Sequence, residues 1–135
     1  MTKPIVGKTA LTELLFWKAF FGLLAFDLFG LGRNFQRLHH TVTRWPVSNK
    51  IARPDDIDRV CEAVNYACAW YPKRALCLQR SAVTTCLLRT YGLGGQLILG
   101  AQRLPFKAHA WVEVEGRVVN ERSDVQKIYG VWDRC

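Results

Sequence analysis

Apolar positions follow two different periods along the 135-residue chain. The first third is dominated by Leu14 to Leu31, an apolar stretch carrying Phe16, Trp17, Phe20, Phe21, Phe26 and Phe29. Lys18 and Asp27 break it, and Gly22 and Gly30 soften it. A membrane span needs about 20 mainly apolar residues, and the longest uncharged run here, Ala19 to Phe26, is far shorter. The stretch is expected to be a helix that buries most of its circumference, with docking to a partner protein, or to a membrane surface, as the alternative uses of its aromatic side.

Beyond it, Arg33, Arg37, Arg44, Lys50 and Arg53 occur with no acidic residue between them. This run reads as a solvated basic surface, or as a binding face for an acidic peptide. His39 and His40 sit within it, and adjacent histidines diverge on either a strand or a helix, so they make a poor metal pair without further ligands. Pro54-Asp55-Asp56 then opens a helix, because proline and carboxylates suit the free amides and positive dipole of a first turn. Ile57, Val60, Cys61, Val64 and Cys68 recur at helical spacing and Pro72 stops the run. A second helix is expected from Cys77 to Gly92, with Leu78, Ala82, Val83, Cys86 and Leu87 on its apolar face.

After Gly94-Gly95 the period shortens to two. Gln96 to Gln102 and Lys107 to Glu113 read as strands, and Val118 to Glu121 as the return leg of a hairpin around Glu115-Gly116. Helices followed by a small antiparallel sheet make an α+β fold. One domain is expected over 1–135, with an apolar then basic helical segment at 1–53 and a catalytic core at 54–135.

Composition narrows the function classes. Half the residues are hydrophobic and 22% are charged, which is globular. The net charge of +8 favours acidic partners, but no long basic tail points to nucleic acid. The five cysteines are odd in number, four lie in apolar stretches, and no signal peptide is recognisable at the N-terminus. A cytoplasmic chain with reduced thiols is expected, with no metal or cofactor, since the Cys and His spacings are mixed and no Cys-x-x-Cys occurs. Cys61, Cys68 and Cys86 read as buried small hydrophobes, and Cys135 as a frayed bystander.

Cys77 differs from these. It stands at a helix start beside Lys73, Arg74 and Arg80, where free amides, the helix dipole and cations lower a thiol pKa and offer donors to an oxyanion. His109, on a strand between Ala108 and Ala110, is the candidate general base. The third member depends on the hairpin. A three-residue loop of Val114, Glu115 and Gly116 pairs Glu113 with Arg117 and His109 with Glu121. A two-residue Glu115-Gly116 turn instead pairs Trp111 with Asn120, putting Asn120 on the histidine's side. Glycine in the third loop position favours the first register, and hence Glu121.

These residues resemble a known family. Leu76-Cys77-Leu78-Gln79-Arg80-Ser81, Leu87-Leu88-Arg89 with Gly92, Leu97-Ile98-Leu99-Gly100, Pro105 through Glu113, and Gly116-Arg117-Val118-Val119-Asn120 are similar to the transglutaminase-like leader peptidases of lasso-peptide biosynthesis. The likeness is to the stand-alone protease half of the split form and covers roughly residues 72 to 125. It implies a cysteine protease that removes the leader from a ribosomally made precursor peptide, with Cys77 as nucleophile and His109 as base. The family's third position, twelve residues after the histidine, usually holds Asp; here it is Glu121. The resemblance also implies three partners: the precursor leader, a small separate leader-binding protein (a RiPP recognition element), and the ATP-dependent lasso cyclase that uses the freed N-terminus. Two other readings remain open, a transglutaminase-type acyl transferase and a non-catalytic peptide-binding adaptor.

Overall fold

The helix that follows Cys77 is the centre of the structure, and its composition explains how. α4 (Cys77–Thr90) packs against α1 (Val6–Leu28), α2 (Phe35–Arg44), α3 (Asp56–Trp70), β1 (Gly95–Gln102) and β2 (Lys107–Val114). It is surrounded, so even its polar residues Ser81, Thr84 and Thr85 are buried. Thr84 and Thr85 donate to the carbonyls of Arg80 and Ser81, four residues back, which satisfies the hydroxyls inside the helix. The remaining elements are β3 (Arg117–Val118), α5 (Val125–Ile128) and β4 (Gly130–Arg134). The computed structural model describes residues 6–28, 35–49, 55–71, 77–102, 107–120 and 125–135.

α1 buries one stripe: Leu15, Ala19, Leu23 and Phe26 face the core, while Phe16, Phe20 and Leu24 form its half-buried shoulders. Leu14, Trp17, Phe21 and Leu28 are exposed. The expectation that this helix buries most of its circumference is therefore corrected. α4 and α3 cover one side of it, and among the described residues nothing covers the other. Gly22 lets α1 approach α4, since a Cβ there would stand 3.2 Å from Val83 Cγ1.

The basic run contains a helix that its charge pattern hid. α2 presses Leu38 and Val42 into the core at one-turn spacing and exposes Arg37, His40 and Arg44. Arg33, Lys50 and Arg53 lie outside the described residues. α3 begins as expected, with Asp56 and Asp58 in its first turn and the Asp55 carboxylate 3.1 Å from Arg59. It ends at Tyr71, whose extended backbone (φ −69°, ψ 132°) is the conformation a following proline imposes. α4 ends in a Schellman motif: Gly92 takes φ 89°, its N–H bonds to Arg89 O, and Leu93 N–H bonds to Leu88 O.

The sheet is antiparallel in the order β3-β2-β1-β4. Leu97, Leu99, Ala110, Val112 and Val114 face the helices, and Ile98 and Trp111 form a second small core with Val125 on the other side. A helical N-terminal half followed by an antiparallel sheet is the α+β fold expected.

Three expectations about the C-terminal third are corrected. The hairpin uses the two-residue turn, with Glu113 opposite Val118 and Val114 opposite Arg117. Glu115 (φ 53°) and Gly116 (φ 77°) are both left-handed, which is a type I′ turn and matches the twist of the strands. Its return strand stops at Val118 rather than running to Glu121. Cys135 is not frayed: its backbone exchanges hydrogen bonds with Leu97 (2.8 and 3.2 Å), and Arg89 donates to its carbonyl at 2.8 Å.

Candidate active site

Cys77 contributes the first residue of α4. One turn later, the Ser81 hydroxyl donates to the carbonyl of Ala110 at 3.1 Å. Four helical residues advance about 6 Å, so this bond ties the opening turn of α4 to the strand segment that carries His109. Residues 72–76 and the side chain of Cys77 lie outside the described part, and so does Glu121. Lys73 and Arg74 share that position. Arg80 stands near enough to α3 for its charge to offset part of the rise that burial imposes on the thiols of Cys61 and Cys68.

His109 is the third residue of β2 and half-buried. Its ring lies 5.2 Å from that of Tyr129 and 6.2 Å from that of Trp111, each tilted by 30°. Alternation along β2 puts His109 on the Trp111 side of the sheet, and Ala110 faces α4.

Asn120 joins β2 to α4 through its side-chain amide. Its Oδ1 accepts the N–H of Val112 at 2.9 Å, and its Nδ2 donates to Ser81 Oγ at 3.1 Å. The reason is local. Val119 N–H still bonds to Val112 O, but the Val119 carbonyl turns away and accepts the Cys61 thiol at 3.4 Å. The Asn120 side chain takes the ladder position that this carbonyl vacates. The amide thus fastens β2 to the first turns of α4.

The thiols of the four cysteines with described side chains are all raised above the ordinary value. Burial, followed by the Asp58 carboxylate, pushes the Cys61 thiol up to about 11, and burial pushes Cys86 up to about 12. Cys68 is raised by burial, and Cys135 by burial and then by Asp133. Thiols so placed stay protonated near neutral pH and are poor nucleophiles. Cys61 and Cys86 are buried as expected, whereas Cys68 is only half-covered.

Two supporting networks escaped sequence reasoning. Glu113 is 2% exposed, and its carboxylate accepts Trp111 Nε1 (2.9 Å), Gln126 Nε2 (2.9 Å) and Arg134 (3.0 Å). Burial alone pushes this carboxyl up, but the hydrogen bonds from Gln126, Trp111 and Arg134 together bring it below its ordinary value. Arg89, also buried, donates to the carbonyls of Gly95, Val42, Trp45 and Cys135, joining α2, β1 and the C-terminal strand. Each is a buried charge whose burial demands partners.

Among the described residues no helix is long and apolar enough to cross a membrane. No curated protein and no solved structure matches this chain significantly. The family model described as the transglutaminase-like superfamily matches residues 21–132, from the middle of α1 into β4. With most of its length matched, and with a cysteine opening the central helix and a histidine on the strand docked beside it, the chain belongs to the transglutaminase-like superfamily.

Proposed function

We propose that this chain is a cytoplasmic cysteine peptidase that removes the leader from a lasso-type precursor peptide, leaving a free N-terminus for ring closure by a separate ATP-dependent cyclase. The observation that carries the reading is the Ser81–Ala110 bond, which docks the helix opened by Cys77 onto the strand of His109. Membership of a superfamily of cysteine-dependent peptidases and acyl transferases supports the reaction class.

Cys77 is the nucleophile. Its thiolate attacks the scissile carbonyl, and the free amides at the start of α4 hold the oxyanion. His109 takes the thiol proton and delivers it to the leaving amine, and water then releases the leader from the acyl-enzyme. Glu121 accepts the ring N–H of His109 and fixes its tautomer, while the Asn120 amide holds Val112 and Ser81. The chemistry assigned here uses no cofactor. Leader recognition falls to a small separate protein, docked on the exposed side of α1 where Leu14, Trp17 and Phe21 lie open.

The test mixes the protein with a candidate precursor from a neighbouring reading frame, with and without the leader-binding protein, and follows the products by mass spectrometry. Leader release by wild type, lost in Cys77→Ala and His109→Ala, supports the proposal. Cleavage that persists in Cys77→Ala refutes it. Transfer of the acyl group to an added amine instead of water identifies an acyl transferase. Tight peptide binding without turnover identifies an adaptor.

A further inference from the structure

A second group of reactive side chains lies on the opposite side of the sheet from the His109 ring. A ring nitrogen of His39, a carboxylate oxygen of Asp133 and the sulfur of Cys135 all stand within 4.8 Å of one another, and His39 Nε2 is 2.7 Å from Asp133 Oδ2. His39 lies more than ninety residues from Asp133 and Cys135 in the chain, which is why spacing along the sequence did not reveal the group. Asp133 and Cys135 are alternate residues of one extended segment, so their side chains share a face. That segment is held in register, with Asp133 opposite Leu99 and Cys135 bonded to Leu97. His39 is delivered by α2, itself anchored by Leu38 and Val42.

We propose that His39, Asp133 and Cys135 bind a divalent cation of the zinc class, with the fourth position open to water. An imidazole nitrogen, a carboxylate oxygen and a sulfur form a donor set that zinc accepts and that magnesium and calcium, which require oxygen, do not. All three residues are half-buried, so an ion can enter and solvent can complete the shell. Their backbones are fixed by the core, so little ordering opposes binding. Without the ion, His39 pairs with Asp133, and the Cys135 thiol shares a hydrogen bond with the Thr43 hydroxyl. On binding, Cys135 releases its proton to solvent, His39 ligates as neutral imidazole, and the cation takes the negative charge of both thiolate and carboxylate. The ion would then link α2 to β4 and stabilise the C-terminal strand.

The test titrates Zn²⁺ alone into the full-length chain by calorimetry, with thermal unfolding as a second readout and Co²⁺ absorption to report a thiolate ligand. One ion per chain and a raised unfolding temperature are expected. His39→Ala, Asp133→Asn and Cys135→Ala should each weaken binding by more than the roughly 10- to 100-fold that loss of an outer-shell partner costs. Asp133→Asn keeps the oxygen that accepts the Arg134 N–H and so retains the fold if a larger change does not. Cys77→Ala and His109→Ala should bind Zn²⁺ as wild type does. Absence of saturable binding, or affinity that is unmoved by Asp133→Asn and Cys135→Ala, overturns the proposal. Loss of binding in Cys77→Ala would also overturn it, by placing the ion at the other cysteine.

Discussion

Gly100 and Trp111 cannot both carry side chains as they stand: a Cβ on Gly100 would lie 2.6 Å from Trp111 Cη2 and 3.0 Å from Tyr129 Cβ. Gly100 is the cross-strand partner of His109. Its missing side chain is what allows Trp111 and Tyr129 to close over that face of the sheet beside the imidazole. Gly100→Ala should therefore act twice. Overpacking of this kind costs about 1–3 kcal/mol, and the displaced rings should shift His109 and lower leader cleavage beyond what the stability loss explains. Thermal melts and peptide-cleavage rates on the same preparation check this; an alanine variant with unchanged cleavage would separate the two rings from His109 function.

Asn120 and Glu121 are neighbours with opposite expected signatures. Asn120→Ala leaves the Val112 amide and the Ser81 hydroxyl without their partner, which should destabilise the fold by about 1–3 kcal/mol. Glu121→Gln should leave the melting temperature nearly unchanged and lower turnover by about 100-fold or more, if the carboxylate steadies the imidazolium. Measuring kcat and Tm for both variants distinguishes them. A Glu121→Gln enzyme at full activity would remove that residue from the triad.

The sequence was most informative where local chemistry alone decides structure. The Pro-Asp-Asp helix start, the halt before Pro72, the Gly92 cap and the period change at Gly95 all depend on neighbours in the chain, and each is found where expected. The hairpin was misread because its turn admits two loop lengths, and only the left-handed φ of Glu115, a residue with no special liking for it, selects the shorter. Short pieces whose partners are remote were not legible. β4 is a strand because it pairs with β1, and α2 is buried through Leu38 and Val42 despite its basic composition. For the site, Cys77 and His109 could be singled out from helix-start and strand placement. The role of Asn120 could not, because it depends on the carbonyl of Val119 turning toward Cys61.

Glu113 should make stability fall at acid pH. Its folded pKa lies below the ordinary carboxylate value, so its contribution is present above the unfolded value of about 4.3 and is lost as pH drops through the folded one. Glu113→Gln should be less stable than wild type near pH 7, and the gap should close progressively below about pH 4. Urea denaturation across that range measures it. A gap that stays constant with pH would mean that packing, rather than the charge held by Trp111, Gln126 and Arg134, gives the residue its effect.

Thiol reactivity should follow the contrast among the cysteines. A thiol at about 11, such as Cys61, is ionised at neutral pH in roughly one molecule per ten thousand, and Cys86 at about 12 still less. Cys77, at the free end of a helix, should be carboxymethylated first by iodoacetate, with loss of peptidase activity in step with its labelling. Peptide mapping after timed exposure measures the order. Labelling of Cys68 ahead of Cys77 would argue against an activated thiol at the head of α4.

The open side of α1 gives the last prediction. Phe16 and Phe20 are shoulders of the core, so replacing them would confuse folding with docking, whereas Trp17 and Phe21 are 51% and 56% exposed and stack on each other with ring centroids 5.8 Å apart. A groove of about 630 Å³ runs alongside, lined by Leu14, Trp17, Phe21 and Trp45, with Lys18 at its edge. An aromatic pair beside an apolar groove is the arrangement that anchors protein interfaces, where a few large residues carry most of the affinity. Trp17→Ser with Phe21→Ser should lower the melting temperature by no more than about 5 °C, since surface changes cost about 0.5 kcal/mol each and about 1 kcal/mol moves Tm by roughly 4 °C in a domain of this size. The same double variant should weaken binding of the leader-binding protein by about 30-fold or more, as loss of a 2 kcal/mol anchor does. It should raise the apparent KM for precursor in the two-protein reaction while leaving kcat near wild type, because neither residue belongs to the proposed Cys77–His109 site. Unchanged affinity in a well-folded double variant would direct the search for the docking face to the basic surface of α2.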